Sequence, residues 1–160
     1  MHENYSLLGD YSKYPISKWN GGNVQFVTPH IIHLMRGQVF TIDEDYKQGL
    51  QYKFFTMGGA SSHDKEFRTE GKSWWKEELP SNSEYEEAIE NLIKNDNKVD
   101  FIITHCTSDF TMGQICPWYI HDKLTNFLES IVESNVEYRH WFFGHYHKDK
   151  EIDTKHTALY

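Results

Sequence analysis

From Asn23 onward the apolar residues come in short β-rich runs, VQFVT, IIHLMR, VFTI and YKFFTM. Pro29-His30, Gly37-Gln38 and the polar stretch from Asp43 to Gly49 separate them. Runs of this length with turn residues between them predict an antiparallel meander. The first twenty residues are rich in Tyr and Ser without periodicity and read as a loop. From Gly58 to Pro80 periodicity is lost while Ser61, Ser62, His63, Asp64, Arg68, Trp74 and Trp75 accumulate. A long polar, aromatic-rich segment inside a domain points to function.

Helix signals follow. Ser81 and Ser83 are N-cap candidates, each with a Glu three residues on (Glu84 and Glu86), and Tyr85, Ala88, Ile89, Leu92 and Ile93 recur at helical spacing. This pattern predicts a helix over residues 83–95. VDFIIT, residues 99–104, is a nearly continuous apolar run of strand length and predicts a strand covered on both faces. A second helix is carried by Ile120, Leu124, Phe127, Leu128, Ile131 and Val132, and a further buried strand by Tyr138 to Phe143. Strand, helix, strand implies a parallel pair with a right-handed crossover. The fold class expected is therefore α/β, an antiparallel meander followed by a βαβ unit, in one domain without internal repeats.

Composition narrows the partners. The 160 residues are 38% apolar, 25% charged and 16% aromatic, as in an ordinary globular domain. Sixteen Lys plus Arg against 24 Asp plus Glu leave a net charge of −8, which disfavours general nucleic-acid binding. No apolar run is long enough to span a bilayer, and MHENYSLLGD has no signal-peptide pattern, so the expectation is a cytoplasmic protein without membrane contact. Two cysteines, Cys106 and Cys116, in no CxxC spacing give neither a disulfide framework nor a thiolate zinc site.

Ten histidines are the unusual count. The strand over 99–104 runs into His105, and the strand ending at Phe143 runs into Gly144-His145-Tyr146-His147. In a parallel βαβ unit both C-terminal ends lie on one side of the sheet, where open α/β sheets place their ligands. Three imidazoles therefore converge, with Gly144 expected to make the sharp turn. Neutral imidazole suits Zn, Fe and Ni, and two neighbouring ions can activate a water between them. His30, His33, His121, His140 and His156 are expected in structural roles, and Trp74 and Trp75 packed against the sheet.

These residues resemble the calcineurin-like metallophosphoesterases, whose motifs run DxH, GDxxD, GNH followed by Asp or Glu, a solitary His after a strand, and GHxH. His2-Glu3 looks like the tail of the third motif, Thr104-His105 like the solitary His, and GHYH from Gly144 to His147 like the last. GGASSHDKEFRTEGKSWW resembles the stretch between the third and fourth motifs. The resemblance implies a β-sandwich with flanking helices that hydrolyses phosphate mono- or diesters with a two-metal-activated water. It makes His2 the catalytic proton donor, His105 and His145 ligands of one metal, His147 a ligand of the other, and Tyr146 a spacer. Asp64 and Arg68 fall in the second shell or the substrate rim. The cofactors implied are two divalent transition metals (Mn, Fe, Zn or Ni).

DxH and GDxxD are absent from the sequence, and Met1 stands where the third motif has its Asn. The bridging carboxylate that offsets repulsion between ions about 4 Å apart is among the missing groups. Residues 1–160 accordingly read as a single incomplete domain, the C-terminal portion of such an enzyme. Its expected partners are a phosphoester substrate and a separate N-terminal half, and alone it would bind at most one metal, weakly. Two alternatives stand beside this reading: a non-catalytic remnant or partner-binding module on the same scaffold, and a single-metal binding protein built on the three histidines.

Overall fold

The computed structural model describes residues 5–44, 49–62 and 64–160. Within them the helix after Pro80 forms as its capping chemistry dictates. Ser81, rather than Ser83, is the N-cap of a helix over Asn82–Lys94 (α2 below). Its hydroxyl accepts from the Glu84 N–H, and the Glu84 carboxylate accepts from the Ser81 N–H at 2.7 Å. Tyr85, Ala88 and Leu92 form the buried stripe, while Ile89 and Ile93, which share the spacing, face solvent.

The expected parallel pair is present. β6 (Phe101–Thr104) and β7 (His140–Phe143) are adjacent and parallel, with Phe101 opposite His140 and Thr104 opposite Phe143. Two helices, not one, lie between them: α3 (Asp109–Ile115) and α4 (Lys123–Glu133). The seven residues of α3 are too few to show a period, and Ser108, accepting from the Thr111 N–H, is their only strong start signal. Ile120 lies outside α4 and is 81% exposed, because the helix starts at Asp122, whose carboxylate accepts from the N–H groups of Leu124 and Thr125.

The meander is divided between two sheets. β1 (Ile16–Trp19), β2 (Gly22–Thr28) and β3 (Ile31–Leu34) form a three-stranded antiparallel sheet. β4 (Gln38–Asp43) and β5 (Gln51–Met57) open a six-stranded mixed sheet in the order β4-β5-β6-β7-β9-β8, where β8 is Lys150–Glu151 and β9 is His156–Ala158. The first twenty residues, expected as loop, contain β1 and a short helix, α1 (Tyr5–Leu8). Buried Gln25 ties them down by donating to the carbonyls of Leu8 and Tyr14 at 2.7 and 2.8 Å, a contact that no local pattern encodes.

The fold is thus mixed α/β. The core lies between one face of the large sheet and the helices, where Phe55, Met57, Ile102, Trp141, Phe143 and Ala158 pack with Ala88, Leu92, Met112, Leu124, Leu128 and Ile131. Residues 99–104 were expected to be covered on both faces, and among the described residues they are covered on one: Phe101 is half-buried and Ile103 is 42% exposed. β5, β6, β7 and β9 run parallel, so their C-terminal ends share one rim. No helix among the described residues is long and apolar enough to cross a membrane.

Candidate functional site

Two hydrogen bonds tie the strand ends at that rim together. The His105 N–H donates to the Met57 carbonyl at 3.3 Å, and the His105 carbonyl accepts from the Gly144 N–H at 3.0 Å. His105 and the residue before His145 are therefore fixed relative to each other by the backbone. The two imidazole rings lie with centroids 5.1 Å apart, inclined at 63°.

The turn after β7 is not made by Gly144. A Cβ there would meet only ordinary contacts, the nearest being the Leu159 carbonyl at 3.6 Å. The left-handed conformations fall instead on His145 (φ 71°) and His147 (φ 52°). His tolerates this region better than most side chains, yet such residues cost about 1–3 kcal/mol each and persist where the surroundings enforce them. Tyr146 supplies the enforcement. Its ring is buried at centroid distances of 5.3 Å from Tyr119 and 5.9 Å from Phe143, and its N–H donates to the Gly144 carbonyl at 2.9 Å. The residue that the family resemblance treats as a spacer is the anchor that holds a histidine out on either side.

A cavity of about 410 Å³ opens at this rim. Its lining includes His105, His145 and His147 together with Asp64 and Arg68, so the five described residues that the resemblance assigns to metal or substrate border one space. Ser62, Tyr119, Gly144, Leu159 and Tyr160 complete the walls, with the Tyr160 ring 5.3 Å from that of His147. Arg68 is held by the Asp64 carboxylate at 2.6 Å and donates to the Ser73 carbonyl at 2.9 Å. Burial pushes the Tyr146 and Tyr119 phenols and the Cys106 thiol above their ordinary ranges, the charge of Asp122 adding to the effect at Cys106. His2, the expected proton donor, and His63 lie outside the described residues.

Glu78 is a residue the sequence did not single out. Only 2% exposed, its carboxylate accepts from the N–H groups of Ser62 at 3.2 Å and Trp75 at 3.4 Å, closing the irregular segment that carries Asp64 and Arg68. Gly59 permits the approach: its φ is 114°, and a Cβ there would sit 2.5 Å from the Glu78 carbonyl. Its position in WKEELP, beside exposed Glu77, gave no sign of burial. Glu78→Ala strands two N–H groups, at about 1–3 kcal/mol each if they stay buried. Faster amide exchange at Ser62 and Trp75, with α2 unaffected, is the expected result.

Four of the other histidines have side-chain partners away from the cavity. His33 Nδ1 lies 2.9 Å from Gln25 Oε1, His121 pairs with Asp109 at 2.8 Å, His140 Nε2 meets Thr157 Oγ1 at 2.8 Å, and His156 sits between Asp153 and Tyr138. Trp75 lies 6.2 Å from the Tyr5 ring, and neither Trp74 nor Trp75 lines the cavity.

The metal expectation can be tested on these side chains. Two imidazoles bound to one ion at about 2.1 Å hold their centroids about 5 Å apart at tetrahedral or octahedral angles, which the His105–His145 pair satisfies. Among the described residues, however, no group of three His, Cys, Asp or Glu side chains is arranged to hold a metal. The separation of the two rings is compatible with a shared ion, and the described residues form no complete seat for one ion or for two. No family model matches the chain, and comparisons with curated proteins and with solved structures likewise return no match.

Proposed function

We propose that this chain is the imidazole-bearing part of a metal-dependent phosphoesterase of the calcineurin-like kind, completed by a carboxylate-bearing half outside residues 1–160. The observation that carries this reading is the 5.1 Å approach of His105 and His145 at the C-terminal ends of neighbouring parallel strands. Within it, His105 and His145 offer neutral imidazoles to one ion, and His147 faces the same cavity as a candidate ligand of another. Arg68, oriented by Asp64, presents a planar set of donors suited to phosphoryl oxygens. His2 keeps its role as proton donor only as an implication of the resemblance. The family's partial β-sandwich is supported by the one-sided burial of the large sheet. Because the described residues do not seat two ions, phosphoester hydrolysis belongs to the completed protein rather than to this chain alone.

A second reading, a single-metal binding protein, is favoured by the same imidazole pair and needs no further half. The two separate in one experiment: equilibrium dialysis against Zn²⁺ or Mn²⁺, with hydrolysis of p-nitrophenyl phosphate and its bis ester followed in parallel. At most one weakly held ion per chain without turnover is expected, with turnover appearing when a polypeptide carrying DxH and GDxxD is added. One tightly held ion, with no gain from that addition, favours the single-metal protein. Two tight ions and robust turnover by the chain alone would refute the incomplete-enzyme reading.

A further inference from the structure

The apolar side chains that project furthest into solvent gather around one opening. Among the described residues, the large apolar side chains most open to water are Phe67 at 89%, Tyr160 at 83%, Ile120 at 81% and Trp118 at 77%. Tyr160 lines the histidine cavity, Phe67 precedes its Arg68, and Trp118 and Ile120 stand on either side of its Tyr119. One such residue needs no explanation, since much of any protein surface is apolar, but four around one cavity mark a binding surface.

The elements that carry them are fastened to the cavity walls. Phe67 ends a short 3₁₀ helix over Lys65–Phe67 that the Asp64–Arg68 ion pair brackets, and its N–H donates to the Asp64 carbonyl at 3.0 Å. On the wall formed by Tyr119, the Tyr119 N–H donates to the Cys116 carbonyl at 3.0 Å, closing a turn with Pro117 and Trp118 at its corners. His121 pairs with Asp109 at 2.8 Å, and Lys148 Nζ donates to the Ile115 carbonyl at 3.4 Å, so this segment is tied both to α3 and to the residue after His147. The Tyr119 ring meets that of His145 at 5.6 Å. These tips are held out by structure.

The arrangement is polar inside and apolar outside. A protein–protein interface has the opposite anatomy, an apolar centre within a polar rim. Nucleic acid is disfavoured by the net charge of −8. The complement of a polar cavity of about 410 Å³ ringed by apolar tips is an amphiphile, its anionic head among the imidazoles and Arg68 and its tail across the collar.

We infer that the cavity takes a phosphoester of a long-chain apolar alcohol, and that Phe67, Trp118 and Ile120 are the subsites that select its tail. The anionic head rests on the phosphoesterase reading, whereas the apolar subsites stand on exposure and position. Under that reading water adds to phosphorus, the P–O bond to the alcohol breaks, and the alcohol leaves with a proton while inorganic phosphate remains.

The test is isothermal titration of the full chain with butyl and dodecyl phosphate, each below its micellar concentration. Dodecyl phosphate is expected to bind roughly 10–100-fold more tightly, a fraction of what complete burial of its extra methylenes would give. Phe67→Ser and Trp118→Ser should each narrow that ratio by roughly 3–10-fold. Ile93→Ser, which removes an exposed apolar residue of α2 that lines no wall of the cavity, should leave it unchanged. Equal affinity for the two esters, a ratio indifferent to both collar variants, or equally tight binding of dodecyl maltoside, which has the tail without the anion, would overturn the inference. So would tighter binding of a phosphoserine peptide flanked by leucines, which would assign the tips to polypeptide. Flotation with phosphatidylcholine vesicles separates the sources of the ester. Co-flotation only when the vesicles contain dodecyl phosphate places it in a bilayer, binding of the dissolved ester alone places it in water, and flotation with plain vesicles counts against the inference. Tail-dependent binding with no turnover after the polypeptide carrying DxH and GDxxD is added keeps the amphiphile site and sinks the phosphoesterase reading, while turnover without tail dependence does the reverse.

Discussion

Replacing His145 with Asn is expected to reduce Co²⁺ uptake by about 100-fold or more, taking a weak site below detection, and His105→Ala to do the same. The two rings are the pair whose 5.1 Å separation suits a common ion, so removing either leaves a single imidazole. His147→Asn is expected to matter much less for the first ion, since His147 shares the cavity without forming a three-ligand group with the other two. Asn is the informative substitution at 145 and 147 because it tolerates the left-handed backbone found there, φ 71° and 52°, while removing the ring. His145→Ala adds backbone strain to ligand loss, so it should also lower the melting temperature, whereas His145→Asn should not. Titration followed by the cobalt ligand-field absorption, with a thermal melt of each variant, checks both. Equal losses from all three histidines would show that His147 ligates the same ion as His105 and His145.

The parts of this site legible in the sequence are those whose signals are local. The capping box at Ser81 and Glu84, the apolar stripe of α2 and the hydrophobic runs ending at Thr104 and Phe143 each specify an element from a handful of neighbouring residues. A crossover between parallel strands then brings His105 and His145 to one rim without further information. What escaped depends on distant partners. The division of the meander turns on which strand Gln38–Asp43 pairs with, and that is β5 rather than β3, a choice that alternation along one run does not encode. Tyr146 reads as a residue between two histidines until its ring is seen between Tyr119 and Phe143. Glu78 reads as one more surface acid until Ser62 and Trp75 are found donating to it. The apolar run VDFIIT predicted cover on both faces, and among the described residues its second face, with Phe101 half-buried and Ile103 exposed, is covered only in part.

Trp141 joins stability to the rim, and its replacement carries the largest folding penalty expected in the chain. It is fully buried on β7 among the rings of Tyr138 and His156, at 5.9 and 5.7 Å, and its indole N–H donates to Thr104 Oγ1 at 2.7 Å. The Thr104 hydroxyl in turn donates to the Cys106 carbonyl, so the contact spans β7, the last residue of β6 and the turn that carries His105. Trp141→Ala removes about 3–5 kcal/mol, a large part of the 5–15 kcal/mol that a domain of this kind holds, and is expected to lower the melting temperature by about 6–20 °C. Trp141→Phe keeps most of the apolar volume but deprives Thr104 Oγ1 of its donor and leaves a small cavity. A loss of about 1–2 kcal/mol follows, lowering the melting temperature by about 3–8 °C. Urea and thermal melts measure both. Because the chain from Trp141 through Thr104 to Cys106 passes beside His105, Trp141→Phe should weaken Co²⁺ uptake even under conditions where the chain stays folded, though less than His105→Ala does. A destabilised Trp141→Phe with unchanged ion affinity would mean that the backbone bonds from His105 to Met57 and Gly144 suffice to hold the imidazole pair.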